Sequence, residues 1–130
     1  VGWFALAKIF VVEDDEGVRV AIVDTLEFDG HDVFSRADAQ YLINEIKQNQ
    51  PDLLLLDLML GADNGLEALS EIRSDPELAK LRVIVVSGRS TDAEIATAIQ
   101  AGADDYLVKP WNGGELEKIV NMWIKTDGDS

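Results

Sequence analysis

Residues 53–57, Leu53-Leu54-Leu55-Leu56-Asp57, set four consecutive apolar residues directly before a carboxylate. The run opens after Pro51-Asp52 and continues through Leu58-Met59-Leu60 to Gly61. A short unbroken apolar run between turn residues reads as a strand buried on both faces, the condition of a strand inside a parallel sheet. Asp57 then stands at that strand's carboxyl end. In open α/β sheets these ends form the rim of the ligand crevice, where an acid can do chemistry without being stranded in the core.

Working outward, the same pattern repeats. Ile9-Phe10-Val11-Val12 is a continuous apolar run that exits into Glu13, Asp14 and Asp15. Val33-Phe34 is a brief strand, Val83-Ile84-Val85-Val86 exits into Ser87-Gly88, and Tyr106-Leu107-Val108 delivers Lys109-Pro110. Between them lie stretches of helical period. Val18, Ile22 and Leu26 form one, stopped at Gly30; Leu42, Ile43 and Ile46 form the next, with Asp38 as its expected N-cap. Leu66, Leu69 and Ile72 form a third, broken at Asp75-Pro76. A fourth, capped by Thr91 or Asp92 and ended by Gly102, points Ile95, Ala98 and Ile99 inward; the fifth buries Leu116, Ile119, Val120 and Trp123. Asn112-Gly113-Gly114 reads as a helix start, and Thr126 to Ser130 as a polar tail. Five strands alternating with five helices, joined by crossovers of sufficient length, predict a doubly wound α/β domain with a five-stranded parallel sheet.

Composition agrees with one domain, residues 1–130, with a core of about 8–125 and residues 1–7 as an upstream remnant: 130 residues, 47% hydrophobic, are enough for one core. The charge of −14, from 11 Lys plus Arg against 25 Asp plus Glu, argues against direct binding to nucleic acid or to an anionic membrane. Cations or basic protein surfaces are the expected partners. The chain has no cysteine, hence no disulfide framework or thiolate metal site, which suits a reducing cytoplasm. Val1 to Val12 is interrupted by Lys8 and is too short to span a bilayer, so no targeting segment is read there. With no initiator methionine, the chain is expected to be processed, fused or excised from something longer.

At the expected rim, Asp14, Asp15 and Asp57 meet Ser87 and Lys109. Clustered carboxylates repel and raise one another's pKa unless a cation offsets them. Three negative charges against one ammonium suit a divalent ion, and an all-oxygen site with few protein ligands suits Mg²⁺. His31, in the Gly30-His31-Asp32 turn, reads as a surface residue; Trp3 and Trp111 are aromatic candidates for a partner surface, whereas Trp123 falls on a buried stripe.

These residues together resemble the receiver domain of two-component response regulators, in Val12-Glu13-Asp14-Asp15, Leu56-Asp57-Leu58-Met59, Asn64-Gly65, Val86-Ser87-Gly88 and Gly102 to Pro110. The resemblance runs from about Lys8 to Lys125 and implies a flavodoxin-like fold with strand order 2-1-3-4-5. It implies that Asp57 takes a phosphoryl group from the phosphohistidine of a histidine kinase or phosphotransfer protein. It further implies Mg²⁺ held directly by Asp15, Asp57 and the Met59 carbonyl, with Asp14 acting through a metal-bound water. Lys109 is then the counter-charge, and Ser87 and Tyr106 form the switch that alters a protein-binding face. Such a domain catalyses its own phosphorylation and dephosphorylation, and signals to a downstream protein or an attached output domain.

The chain departs from the family pattern at Gly61, usually proline, and at Asn64, usually an acid; Met59 and Arg89 occupy variable positions that affect phosphoryl lifetime. Gly102 to Lys109 also resembles winged-helix transcription regulators, whose receivers pair through matched charges. Asp104, Asp105 and Glu115 supply acids, but Thr91 to Ala101 has no Lys or Arg, so the charge set for that dimer is incomplete. Two other readings stand beside the first: an unphosphorylated receiver-like scaffold, and an aspartyl-nucleophile phosphatase. The phosphatase type places a second Asp where this chain has Met59.

Overall fold

The four leucines ahead of Asp57 are in the core on both sides, none more than 1% exposed. In the computed structural model, which describes residues 6–60 and 63–128, the strands are β1 (Lys8–Val12), β2 (Asp32–Arg36), β3 (Leu53–Asp57), β4 (Met59–Leu60), β5 (Asp63–Asn64), β6 (Arg82–Ser87) and β7 (Asp105–Val108). The helices are α1 (Glu16–Phe28), α2 (Leu42–Asn49), α3 (Gly65–Ser74), α4 (Asp92–Gln100) and α5 (Glu115–Gly128). Five strands pair in parallel in the order β2-β1-β3-β6-β7, while β4 and β5 form a separate antiparallel hairpin. With the hairpin set aside this is the flavodoxin-like 2-1-3-4-5 order.

Side chains alternate across the sheet, so β3 feeds two cores at once. Leu54 and Leu56 join Phe10, Val83 and Val85 beneath α2, α3 and α4, where Ile46, Leu69 and Ala98 are buried. Leu53 and Leu55 join Ile9, Val11 and Ile84 beneath α1 and α5, where Ile22, Leu26 and Val120 are buried. Each such leucine contributes about 1.5–3 kcal/mol by leaving water. With both faces covered, the polar ends of the strands are the part of the sheet left for chemistry.

Local signals set most helix starts. Asp15 caps α1, Asn64 caps α3, and Thr91 with Glu94 forms a reciprocal capping box on α4. The expected cap of α2 is different. Asp38 instead accepts from the N–H of Gln40, two residues on, and Tyr41 occupies the N-cap without a side-chain bond. Asp38 thus makes a local turn that competes with capping.

Four further expectations are revised. The second strand extends well beyond Val33-Phe34, because parallel pairing with all of β1 supplies the hydrogen bonds that its few apolar residues do not advertise. Ile99 points outward, 43% exposed, since Ala98 takes the buried position on α4. His31 is buried, 6% exposed. Its N–H donates to the Leu26 carbonyl, which draws the turn under the end of α1, and burial lowers the pKa of its ring despite the charge of Asp29. Finally, α5 continues to Gly128, past the expected start of the tail. Trp3, Gly61 and the last two residues of the tail lie outside the described residues.

Gly65 is where the site's floor meets α3. A Cβ there would lie 2.6 Å from both the Asp57 carbonyl oxygen and Leu58 Cα, closer than real contacts allow. Gly65→Ala is therefore expected to lower stability by about 1–3 kcal/mol, the range for overpacking a close contact. Urea unfolding should show a reduced midpoint with an unchanged slope; an unchanged midpoint would refute the contact.

Candidate functional site

Parallel pairing brings the exits of β1, β3, β6 and β7 to one edge, and the residues there converge on Asp57. The carboxylate is 3% exposed and both its oxygens are engaged. Oδ1 accepts from the Met59 N–H at 3.0 Å, and Oδ2 lies 3.2 Å from the Lys109 ammonium. That ammonium also lies 2.5 Å from Oε1 of Glu13, a fully buried acid. Ligand oxygens of Glu13, Asp14 and Asp57 all fall within 4.8 Å of one another, with Asp14 on the exposed side. One ammonium thus contacts two of three clustered carboxylates.

The electrostatics follow from burial. Desolvation pushes the Glu13 carboxyl up to about 7; Lys109 and the Asp15 N–H oppose the rise and Asp57 adds to it. Burial alone would lower Lys109, but its contacts with Glu13 and Asp57 outweigh this and hold the ammonium above its ordinary value. Lys109 therefore stays charged where charge is most needed.

Of the expected site residues, Asp14, Asp57 and Lys109 are together. Asp15 is not with them. Its Oδ1 accepts from the Val18 N–H at 2.9 Å as the cap of α1, so the acids beside Asp57 are Glu13 and Asp14, one residue earlier than read. The missed signal was positional: Asp15 stands three residues before Val18, the first apolar residue of the helical period, and so is the natural cap. Met59 is half-exposed, and its N–H is on Asp57.

Ser87 ends β6 one residue past Val86, the register partner of Asp57, and is fully buried. Its hydroxyl accepts from the Arg89 N–H at 3.2 Å, and its carbonyl accepts from the Lys109 N–H at 2.8 Å. The half-buried Tyr106 donates its hydroxyl to the Arg89 carbonyl at 2.6 Å. Arg89, read as a variable position that affects phosphoryl lifetime, is thus in contact with both residues expected to form the switch. Trp123 is half-buried against the core, and its indole N–H donates to Asp105 at 2.8 Å.

Residues 9–121 match the family model of the response regulator receiver domain. The chain belongs to this family. It is 37% identical over 120 residues to the KDP operon transcriptional regulatory protein KdpE of Escherichia coli, covering 92% of this chain and 52% of that protein. It is 36% identical to the phosphate regulon transcriptional regulatory protein PhoB of Rhizobium meliloti, again over 92% of this chain and 53% of the relative. This receiver spans about half the length of these curated relatives. Among solved structures, the receiver domain of a sensor histidine kinase from Pseudomonas aeruginosa, with a magnesium ion coordinated in its active-site cleft, superposes with a TM-score of 0.83 at 28% identity, covering 92% of this chain and 98% of that one. The receiver is thus a two-component signalling module.

Glu13 supplies a pH test. Its folded pKa, about 7, lies above its ordinary 4.5, so its contribution to stability is full below about 4.5 and is lost as pH rises through about 7. In metal-free buffer, wild type should lose stability relative to Glu13→Gln across that window, read from urea midpoints. Parallel profiles for the two proteins would show that Glu13 is not perturbed.

Proposed function

We propose that Asp57 accepts a phosphoryl group from a phosphohistidine on a histidine kinase or phosphotransfer protein, in a reaction that depends on Mg²⁺. The observation that supports this most is the buried Asp57 carboxylate in a group of three acids offset by one ammonium. That donor set fits a hard divalent cation: all oxygen, excess negative charge, and one acid, Asp14, on the solvent side. Glu13, Asp14 and Asp57 would hold Mg²⁺, with the Met59 carbonyl as the further ligand that the family resemblance implies. When bound, the ion neutralises charge on the transferring phosphoryl oxygens.

The chain's own residues do the rest. A carboxylate oxygen of Asp57 attacks phosphorus, the P–N bond breaks, and its electron pair returns to the imidazole nitrogen of the donor. Lys109, already at Asp57 Oδ2 and beside Glu13, neutralises the charge that collects on the equatorial oxygens. Ser87, at the adjacent strand end, donates its hydroxyl to a phosphoryl oxygen. Doing so changes its contact with Arg89, whose carbonyl holds Tyr106, and so the surface built by α4, β7 and α5.

The output is a downstream protein or a domain attached beyond this receiver, in line with relatives about twice its length that are named as transcriptional regulators. At −14 the receiver itself is not the nucleic-acid-binding part. No helix among the described residues is long and apolar enough to cross a membrane, and we place the protein in the cytoplasm as one receiver core over about residues 8–125.

With Mg²⁺ and acetyl phosphate, intact mass should show one added phosphoryl group, absent in Asp57→Ala; uptake by that variant would overturn the assignment. Asp14→Asn should weaken Mg²⁺ binding by at least about tenfold, as even outer-sphere partners of a metal do when changed. Asp15→Ala should keep the metal affinity and instead cost about 0.5–2 kcal/mol of stability as a lost cap.

A further inference from the structure

We propose that the cleft between α2 and α3 is a docking surface for a cationic helix of a partner protein, one that carries arginines four residues apart. The cleft has a volume of about 300 Å³. Among the described residues lining it, none belongs to the Asp57 site or to α4, β7 or α5, so the proposal does not rest on phosphorylation of Asp57.

The cleft is open because small residues meet where the two helices pass. Ala39 and Ala68 are half-buried there beside Ile43, and all three pack against the core beneath. They give the cleft an apolar floor. Its exposed lining is of a different kind: Tyr41 on the α2 side, Glu67 and Glu71 on the α3 side. Tyr41 is a large aromatic left 61% exposed, with its hydroxyl accepting from the Gln40 side-chain amide at 3.3 Å. It stands at the N-cap of α2 but bonds none of that helix's N–H groups through its side chain, so capping does not account for it.

Glu67 and Glu71 are four residues apart on α3, which places like charges on one face of the helix, an arrangement that destabilises it. The helix dipole offsets this at Glu67, in the first turn, but not at Glu71. Neither carboxylate has a cation or a hydrogen-bond donor among the described residues. The bases of the two helices are engaged elsewhere, Lys47 by Asp75 at 2.8 Å and Arg73 by Asp104 at 2.9 Å. A helix laid in this groove presents its residues i and i+4 at the same spacing as the two acids. Arginine suits both walls, because its planar guanidinium pairs with a carboxylate and also stacks on a tyrosine ring. Anionic partners are repelled by these acids and by the charge of −14.

The probe is an alanine-based helical peptide of about 18 residues, blocked at both ends, with two arginines four residues apart. Its isomer with the arginines two residues apart, on different faces of the helix, is the control. Titrated into the isotope-labelled receiver at physiological salt and followed by NMR, the probe should shift the backbone amides of residues 40–44 and 64–71 and bind more tightly than the isomer. The double variant Glu67→Gln, Glu71→Gln should weaken binding by about three- to tenfold, as expected for two exposed ion pairs. Tyr41→Ala should weaken it by about two- to fivefold through the lost cation–π contact. The double variant Asp24→Asn, Glu27→Gln on α1 removes the same charge elsewhere and should leave binding unchanged. Shifts centred on Asp57 or scattered over the acidic surface, equal binding of the two peptides, or equal losses in the two charge-matched variants would each overturn the proposal, as would the absence of shifts in the cleft.

Discussion

Everything at the edge of the sheet depends on the Lys109 ammonium lying between two buried carboxylates, 2.5 Å from Glu13 and 3.2 Å from Asp57. Burying an isolated carboxylate is costly, and burying two beside each other is more so, unless positive charge is brought to both. Lys109 does this from β7, two strands away from β3 in the sheet order, so the site forms only when the sheet is complete. Its backbone N–H on the Ser87 carbonyl fixes that approach. The neutralisation is partial: Glu13 remains pushed up to about 7, and Asp14 adds a third acid that pairs with no ammonium among the described residues. This residual negative charge is what the proposed Mg²⁺ would offset.

The sheet can hold such a site because its own stability is secured elsewhere. β3 puts leucines into both cores, so Asp57 is anchored to the most buried strand and its neighbours cannot shift without disturbing two sets of helices. Gly65 then allows α3 to start directly against the Asp57 carbonyl, which fixes the far side of the acid. The Asp57 carboxylate is thereby positioned by packing, and the polar contacts only have to orient it.

Most of this was legible in the residues. Unbroken apolar runs at 9–12, 53–56 and 83–86 marked strands covered on both faces, and the polar residue after each run marked the shared edge. What escaped depended on contacts between distant segments or on single-residue offsets. Among three acids in a row after β1, only the spacing of Asp15 from Val18 marks it as the cap of α1, and with Asp15 so used the acids beside Asp57 are Glu13 and Asp14. A turn histidine gives no hint that the end of α1 covers it, as happens at His31. The β4–β5 hairpin is too short for periodicity to register. The contacts of Arg89, read as a variable position, come from four different elements and leave no local signal.

The same distinction bears on the face made by α4, β7 and α5. Asp104 and Asp105 are conspicuous acids in the sequence, available on paper for pairing with another chain. In the fold both are already used. Asp104 accepts from Arg73 Nη2 at 2.9 Å and from the Val83 N–H at 2.8 Å, and Arg73 also donates to the carbonyls of Gly102 and Leu81. This ties α3 to the start of β7. Asp105 accepts from the Trp123 indole at 2.8 Å, which ties β7 to α5. Because these contacts are partly buried, replacing them with bonds to another molecule would cost more than recruiting a solvated acid. Matched ion pairs through Asp104 or Asp105 would thus have to displace contacts that hold the receiver together, while α4 contributes no Lys or Arg to such a set.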